Sequence, residues 1–186
     1  MVSNPVTTLF VPGLRDHVAD HWQTHMAAEI PGAVTVDPLA EDRLSRAARV
    51  AALDAGLQAM SGVVVLVAHS AGVLMTAFWD LIPTRLIRGA LLVTPADVEN
   101  PLPAGYPTFE DLEQGGWLPI PRQPLSFPAL LVASRNDPLA LFDRTVELGE
   151  SWGVPVHDAG EVGHLNPASG HGPWAEGLRL WKQLLE

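Results

Sequence analysis

The sequence predicts an α/β fold: a parallel sheet of about six strands with helices on both faces. Three observations carry that expectation. Short apolar stretches alternate with segments of helical spacing along the whole chain. The stretch Val63 to Ala68 is apolar without polar alternation, the pattern of a strand buried on both faces in the middle of such a sheet. Reactive side chains follow directly after three of the strands, and in parallel sheets the strand carboxyl ends gather on one side.

Taken in order, Thr7 to Val11 is the first strand, ended by Pro12-Gly13-Leu14 and the polar run Arg15 to Asp20. A helix runs from Asp20 through Glu29 and stops at Pro31-Gly32; Val34 to Val36 is a brief second strand before Asp37-Pro38. Leu44, Ala47, Ala48, Ala51 and Leu57 recur at helical spacing within Arg43 to Met60, and Ser61-Gly62 closes that helix ahead of the central strand. From Val73 the apolar pattern fits a helix through Phe78, and Ile87 to Val93 is a fourth strand. Asp97 to Pro128 holds seven prolines, with Pro95 just before it, a density at which no long regular element is expected. Its Tyr106, Phe109, Trp117 and Phe127 favour packing, so it reads as a covering segment at about 97–128. Ala129 to Ser134 is a strand, Leu139 to Trp152 a helix, Val154 to Val156 a strand, and Trp174 to Leu185 a closing amphipathic helix.

At 186 residues, 47% of them hydrophobic, the chain suits one domain spanning 1–186 with one sizeable core. Eleven basic residues against 21 acidic give a net charge of −10, which offers no electrostatic support for a nucleic-acid surface. The absence of cysteine removes disulfides, thiolate metal sites and cysteine nucleophiles, and is compatible with a reducing compartment. Met1-Val2-Ser3-Asn4-Pro5 shows no basic region before an apolar run, and no apolar stretch approaches the ~20 residues of a membrane span. A cytoplasmic protein that binds neither membrane nor nucleic acid is the expectation; oligomeric state is not legible.

The chemistry centres on Ser70. Ala68 two before it and Gly72 two after it leave room for the sharp strand-to-helix turn of a G-x-S-x-G elbow, with alanine in place of the first glycine. Such a turn lifts the hydroxyl above the sheet edge at a helix N-terminus, which favours developing negative charge. The competing reading is a plain helix N-cap. A serine hydroxyl needs a base to take its proton and a carboxylate to hold that base in one tautomer. Asp137 follows the fifth strand in Ser134-Arg135-Asn136-Asp137-Pro138, and His164 follows the sixth in Gly163-His164-Leu165-Asn166. Read separately, Asp137 could be an Asx-turn residue and His164 a loop histidine. Together they give the order serine, acid, histidine, each after a strand, as in α/β-hydrolases. Asp143, within a helix, and Asp158, at the end of the sixth strand, are weaker candidates for the acid, and His157 and His171 for the base.

The elbow Leu66-Val67-Ala68-His69-Ser70-Ala71-Gly72, the acid loop, the Gly163-His164-Leu165-Asn166 turn, and Pro12-Gly13 followed by His21-Trp22-Gln23 resemble the small serine hydrolases of the YdeN and retinoblastoma-binding-protein-9-like family across nearly the whole chain. The resemblance implies a compact α/β-hydrolase, a triad of Ser70, Asp137 and His164, and carboxyl-ester hydrolysis; the expected strand order is 2-1-3-4-5-6, the short chain leaves little material for more than a small acyl site, and no cofactor or metal is expected. The elbow puts the Ala71 N–H beside the serine oxygen, and by position Leu14 supplies the second oxyanion donor. The acyl pocket is expected from the Leu14 loop, the start of the Ser70 helix and the proline-rich segment, with Trp22, Phe109 and Trp117 as candidate walls or, equally, as anchors to the core. His17, His21 and His25 share a helical spacing that could suggest a metal, but a third-ligand set and supporting shell are not evident. His69 is expected to point away from the nucleophile and pack. A second function class remains, a binding or regulatory protein that keeps this fold.

Overall fold

The computed structural model describes residues 6–186, so the reading of Met1 to Pro5 lies outside the described residues. The elements are β1 (Val6–Val11), α1 (Trp22–Glu29), β2 (Val34–Thr35), α2 (Arg46–Ala59), β3 (Val63–His69), α3 (Ala71–Trp79), β4 (Gly89–Val93), α4 (Phe109–Gln114), β5 (Ala129–Ala133), α5 (Phe142–Trp152), β6 (Val156–Asp158) and α6 (Ala175–Gln183), with a 3-10 turn at Pro167–Ser169. The strands form one six-stranded parallel sheet in the order β2-β1-β3-β4-β5-β6. β3 sits near the middle, and its residues from Val64 onward are buried, as its unbroken apolar run requires.

Alternate residues of the strands build two cores. Leu9, Leu66 and Leu92 face Leu53 and Leu57 of α2, the apolar side of α3, and Leu148 and Trp152 of α5. Phe10, Val67, Leu91 and Val132 face Trp22 and Met26 of α1 and Leu180 of α6. The chain steps from β1 outward to β2 and returns to β3 on the other side of β1. The loops leaving β1 and β3 therefore diverge, and a crevice opens above them at the strand carboxyl ends. Gly72, in the first turn of α3, closes the floor of that crevice: a Cβ there would lie 2.2 Å from the Val11 carbonyl oxygen and 2.9 Å from that of Pro12. Only glycine lets the helix start against the end of β1.

Several boundaries differ from the sequence expectation for local reasons. α2 starts at Arg46 because the Ser45 hydroxyl accepts the Ala48 N–H and caps it. β6 begins at Val156 and not Val154, since Pro155 has no N–H for the ladder and contributes only its carbonyl, to Leu131 N. The proline-rich segment does hold a regular element: α4 occupies the proline-free interval after Pro107, where Thr108 and Asp111 form a reciprocal capping box. Among the described residues no helix is long and apolar enough to cross a membrane.

Trp117 shows what the aromatics of that segment do. It is fully buried in the core shared with α2 and α3, and its indole Nε1–H donates to the Leu44 carbonyl at 2.7 Å. Trp117→Ala is thus expected to cost about 3–5 kcal/mol of stability in urea unfolding through the cavity it leaves.

Candidate active site

Ser70 ends β3 and precedes α3 with φ +57° and ψ −124°, a conformation that L side chains rarely adopt. The strain is the elbow: Ser70 N–H donates to Val93 O, its own carbonyl accepts from Val73 N, and its hydroxyl makes no capping bond to the helix. The N-cap reading therefore gives way to a half-buried hydroxyl that makes no cap bond. That hydroxyl lies 2.9 Å from His164 Nε2. On the other side of the ring His164 Nδ1–H donates to Asp137 Oδ2 at 2.8 Å and lies 3.0 Å from Oδ1. The carboxylate can only accept, so Nδ1 carries the proton and Nε2 presents its lone pair to Ser70. Both side chains are almost wholly buried.

Asp137 is held on its far side as well, since Oδ1 accepts the Leu139 N–H at 2.8 Å. The Asx turn that the Asp137-Pro138 pair suggested is thus present, and it aims the carboxylate at the imidazole. The acid and base loops are tied together by Asn136, whose Oδ1 accepts from Gly163 N at 2.6 Å. The other carboxylates and histidines lie elsewhere. Asp158 is taken by the Arg135 guanidinium, which holds its carboxyl below the usual range; Asp143 is exposed in the first turn of α5; His157 bonds Glu176.

Two backbone elements lie against Ser70. Ala71 is the first residue of α3, so its N–H has no acceptor within the helix. The Gly13–Leu14 loop presses on the nucleophile: a Cβ at Gly13 would come within 3.2 Å of Ser70 Cβ. Sequence reasoning missed what fixes this loop. Arg49, on α2 and only 4% exposed, donates to the Leu14 carbonyl at 3.1 Å, to Asp16 Oδ1 at 2.5 Å and to the Arg43 carbonyl at 2.7 Å. Asp16, in the left-handed region at φ +56°, also accepts from Arg43. Opening a buried pair of this kind typically costs about 3–5 kcal/mol, far more than a surface ion pair.

A cavity of about 360 Å³ opens over Ser70, with Leu14, Ala71 and His164 at its base, apolar walls that include Val98, Leu102 and Leu139, and His21 and His69 facing them. None of the three aromatics expected to wall it does so. Trp22, the first residue of α1, is buried against Trp174, Trp117 is committed to the core, and Phe109 is 41% exposed on α4. From the proline-rich segment the cavity takes Val98, Leu102 and Leu112 together with one aromatic, Tyr106. His69 is also corrected. It leaves β3 on the face of Val67, yet its Nε2–H donates to the His164 backbone carbonyl at 2.9 Å, so it supports the base and borders the cavity. The histidines at helical spacing go to different partners: His21 Nδ1 caps α1, His17 lies 3.5 Å from the Thr24 hydroxyl, and His25 lies 3.5 Å from Asp20.

Burial, and secondarily the neighbouring His164, pushes His21 down to about 4. Burial pushes His69 well below 6.5, with His164 and His21 adding to it. Both groups are depressed relative to the unfolded value of about 6.5, so the stability tied to their neutral forms is complete above that pH. It is lost as pH falls through the folded values. Urea unfolding at a series of pH values is expected to show a loss that begins near 6.5 and, for His21, is steepest midway to 4, with that residue accounting for about 3 kcal/mol. A flat profile over that window would contradict the burial of both rings.

Comparison with known proteins identifies the family and the fold. The family described as serine hydrolase matches residues 8–183. A crystal structure described as a YdeN-like hydrolase from Pectobacterium atrosepticum is 31% identical, with TM-score 0.79, covering 96% of this chain and 92% of that one. The ydeN gene product of B. subtilis superposes equally well, TM-score 0.79 over 97% and 99% of the two chains, at 16% identity. Est1E from Butyrivibrio proteoclasticus shares the fold at 10% identity, TM-score 0.66, over 99% and 90%. A search of curated proteins gives no significant match. With the family matched over nearly its whole length and a YdeN-like hydrolase at 31% identity, this chain belongs to the serine hydrolase family of the α/β-hydrolase superfamily.

Proposed function

We propose that the protein is a carboxylesterase for small acyl esters that works through an acyl-enzyme on Ser70. His164 Nε2 takes the hydroxyl proton as Oγ attacks the ester carbonyl carbon. The resulting oxyanion is met by the N–H groups of Ala71 and Leu14. As the tetrahedral species collapses, His164 returns the proton to the departing alcohol, and a water activated by the same imidazole then releases the acid. Asp137 keeps the imidazole in the required tautomer and stabilises it when protonated. What supports this reading is the unbroken path from Ser70 Oγ through His164 to Asp137, at 2.9 and 2.8 Å. The cavity, about 360 Å³ with Val98, Leu102, Leu139 and the ring of Tyr106 among its apolar lining, fits a short acyl chain.

Treatment with a fluorophosphonate is expected to add one label, mapped by peptide mass spectrometry to Ser70. p-Nitrophenyl acetate and butyrate should be hydrolysed much faster than the decanoate. An adduct on another serine, or on none, overturns the assignment of the nucleophile; equal rates on long chains overturn the small acyl site.

A further inference from the structure

The hydrolysis uses neither ring nitrogen of His21, a polar side chain of the cavity lining. His21 caps α1 by accepting the Gln23 N–H at Nδ1, 3.2 Å away. That bond dictates its tautomer: in the neutral ring the proton sits on Nε2. Nε2 has no partner among the described residues, and the ring, 8% exposed, is part of the cavity lining. The ring cannot easily turn away. It packs edge-on against His69 with centroids 4.6 Å apart and lies 5.5 Å from Trp22. The next residue but one, Gln23, anchors the helix start by donating to the carbonyls of Val67 and Val11.

We infer that His21 is a specificity-determining residue, whose Nε2–H reads a second acceptor oxygen carried by the ester, beyond the carbonyl that is attacked. The inference rests on the esterase reading of the cavity. The preferred substrate then has an apolar body, set against Val98, Leu102 and Leu139, and one ether, hydroxyl or carbonyl oxygen on the side of His21. A purely alkyl substrate of the same length would bury a fixed N–H without an acceptor. Sites built to bond a polar group discriminate against analogues that lack it for this reason. The low His21 pKa keeps the group a neutral donor at ordinary assay pH.

Two pairs of isosteric esters locate the acceptor. p-Nitrophenyl 4-oxopentanoate against pentanoate tests the acyl side; 2-methoxyethyl butyrate against butyl butyrate tests the alcohol side. Each rate is divided by the uncatalysed rate. In one arm kcat/KM should favour the oxygenated ester by about tenfold or more. His21→Asn retains a capping side chain but is too short to present the donor, and should bring the ratio close to one. His21→Gln keeps an N–H at the ε position while losing the cap, and should retain a preference despite lower thermal stability. A purely structural His21 would give the reverse pattern, tracking stability. Ratios near one in both arms of the unaltered protein, or a preference that survives His21→Asn, overturn the inference. Failure of the esterase reading is separately visible as absent turnover and absent fluorophosphonate adduct. In that event the dissociation constants of Ser70→Ala for the two butyrates, and for methyl 4-oxopentanoate against methyl pentanoate, decide the role of His21 by the same ratios.

Discussion

Ser70→Ala is expected to lower kcat on p-nitrophenyl butyrate by about 10⁶-fold, the scale seen when the nucleophile of a serine triad is removed. No nearby group can substitute. The Oγ is the only atom that joins the strained elbow to His164 Nε2, and the hydroxyl makes no capping bond whose loss would loosen α3. The variant should therefore melt within a few degrees of the parent, or slightly above it, as is common when a functional site gives up a costly group. Circular dichroism melts and burst-phase kinetics read the two halves separately. A variant that retains turnover above about a thousandth of the original would remove Ser70 from the chemistry.

Asp137→Asn should lower kcat by about 10⁴-fold while leaving the backbone in place. The local hydrogen bonds say why the isosteric amide is so damaging. Oδ1 of residue 137 accepts the Leu139 N–H, a bond the amide oxygen of asparagine keeps. The amide NH₂ is then left facing His164 Nδ1, where the carboxylate oxygen stood. A donor there forces the ring proton onto Nε2, and the imidazole can no longer accept from Ser70. The expected signature is a large loss of kcat with an unchanged urea midpoint. Asp158→Asn, by contrast, breaks only its pairing with Arg135 at the surface and should leave the rate nearly as it was. A reversed order of these two effects would move the acid to Asp158.

The parallel sheet and the positions of Ser70, Asp137 and His164 are legible because each rests on a local rule, while the strand order follows the hydrolase pattern. A continuous apolar run makes a buried strand, small residues permit an elbow, and parallel strands put the three side chains at the same sheet edge. What escaped depends on contacts between residues far apart in sequence. Arg49 reaches the Leu14 loop from 35 positions away, and nothing in the helical spacing of α2 marks one arginine as buried. Next to the nucleophile and pointing away from it, His69 reads from sequence as a packing residue on the Val67 side of β3. It does pack there, but the His164 loop crosses that same side, which is visible only once β6 and its following turn are folded beside it. Trp22, Phe109 and Trp117 misled for a different reason. Aromatic bulk near a site is equally suited to lining it or to holding up its frame, and only packing chooses. The helix α4 could have been found, since Thr108 followed by Asp111 is a capping pattern in a stretch without proline.

Gly72 has a consequence for how the enzyme can be tuned. Because α3 starts in backbone contact with the Val11 and Pro12 carbonyls, with no side chain between, the gap between the elbow and the loop after β1 is gauged by peptide geometry alone. The two proposed oxyanion donors travel on these two pieces of backbone. A gauge of that kind has no rotamers, so the donors need no rearrangement as charge develops. It also cannot be adjusted by repacking from a distance: a methyl group at position 72 would act as a wedge, spreading both donors at once. Selectivity among substrates must then be written into the walls of the cavity, while its floor stays a fixed standard of length.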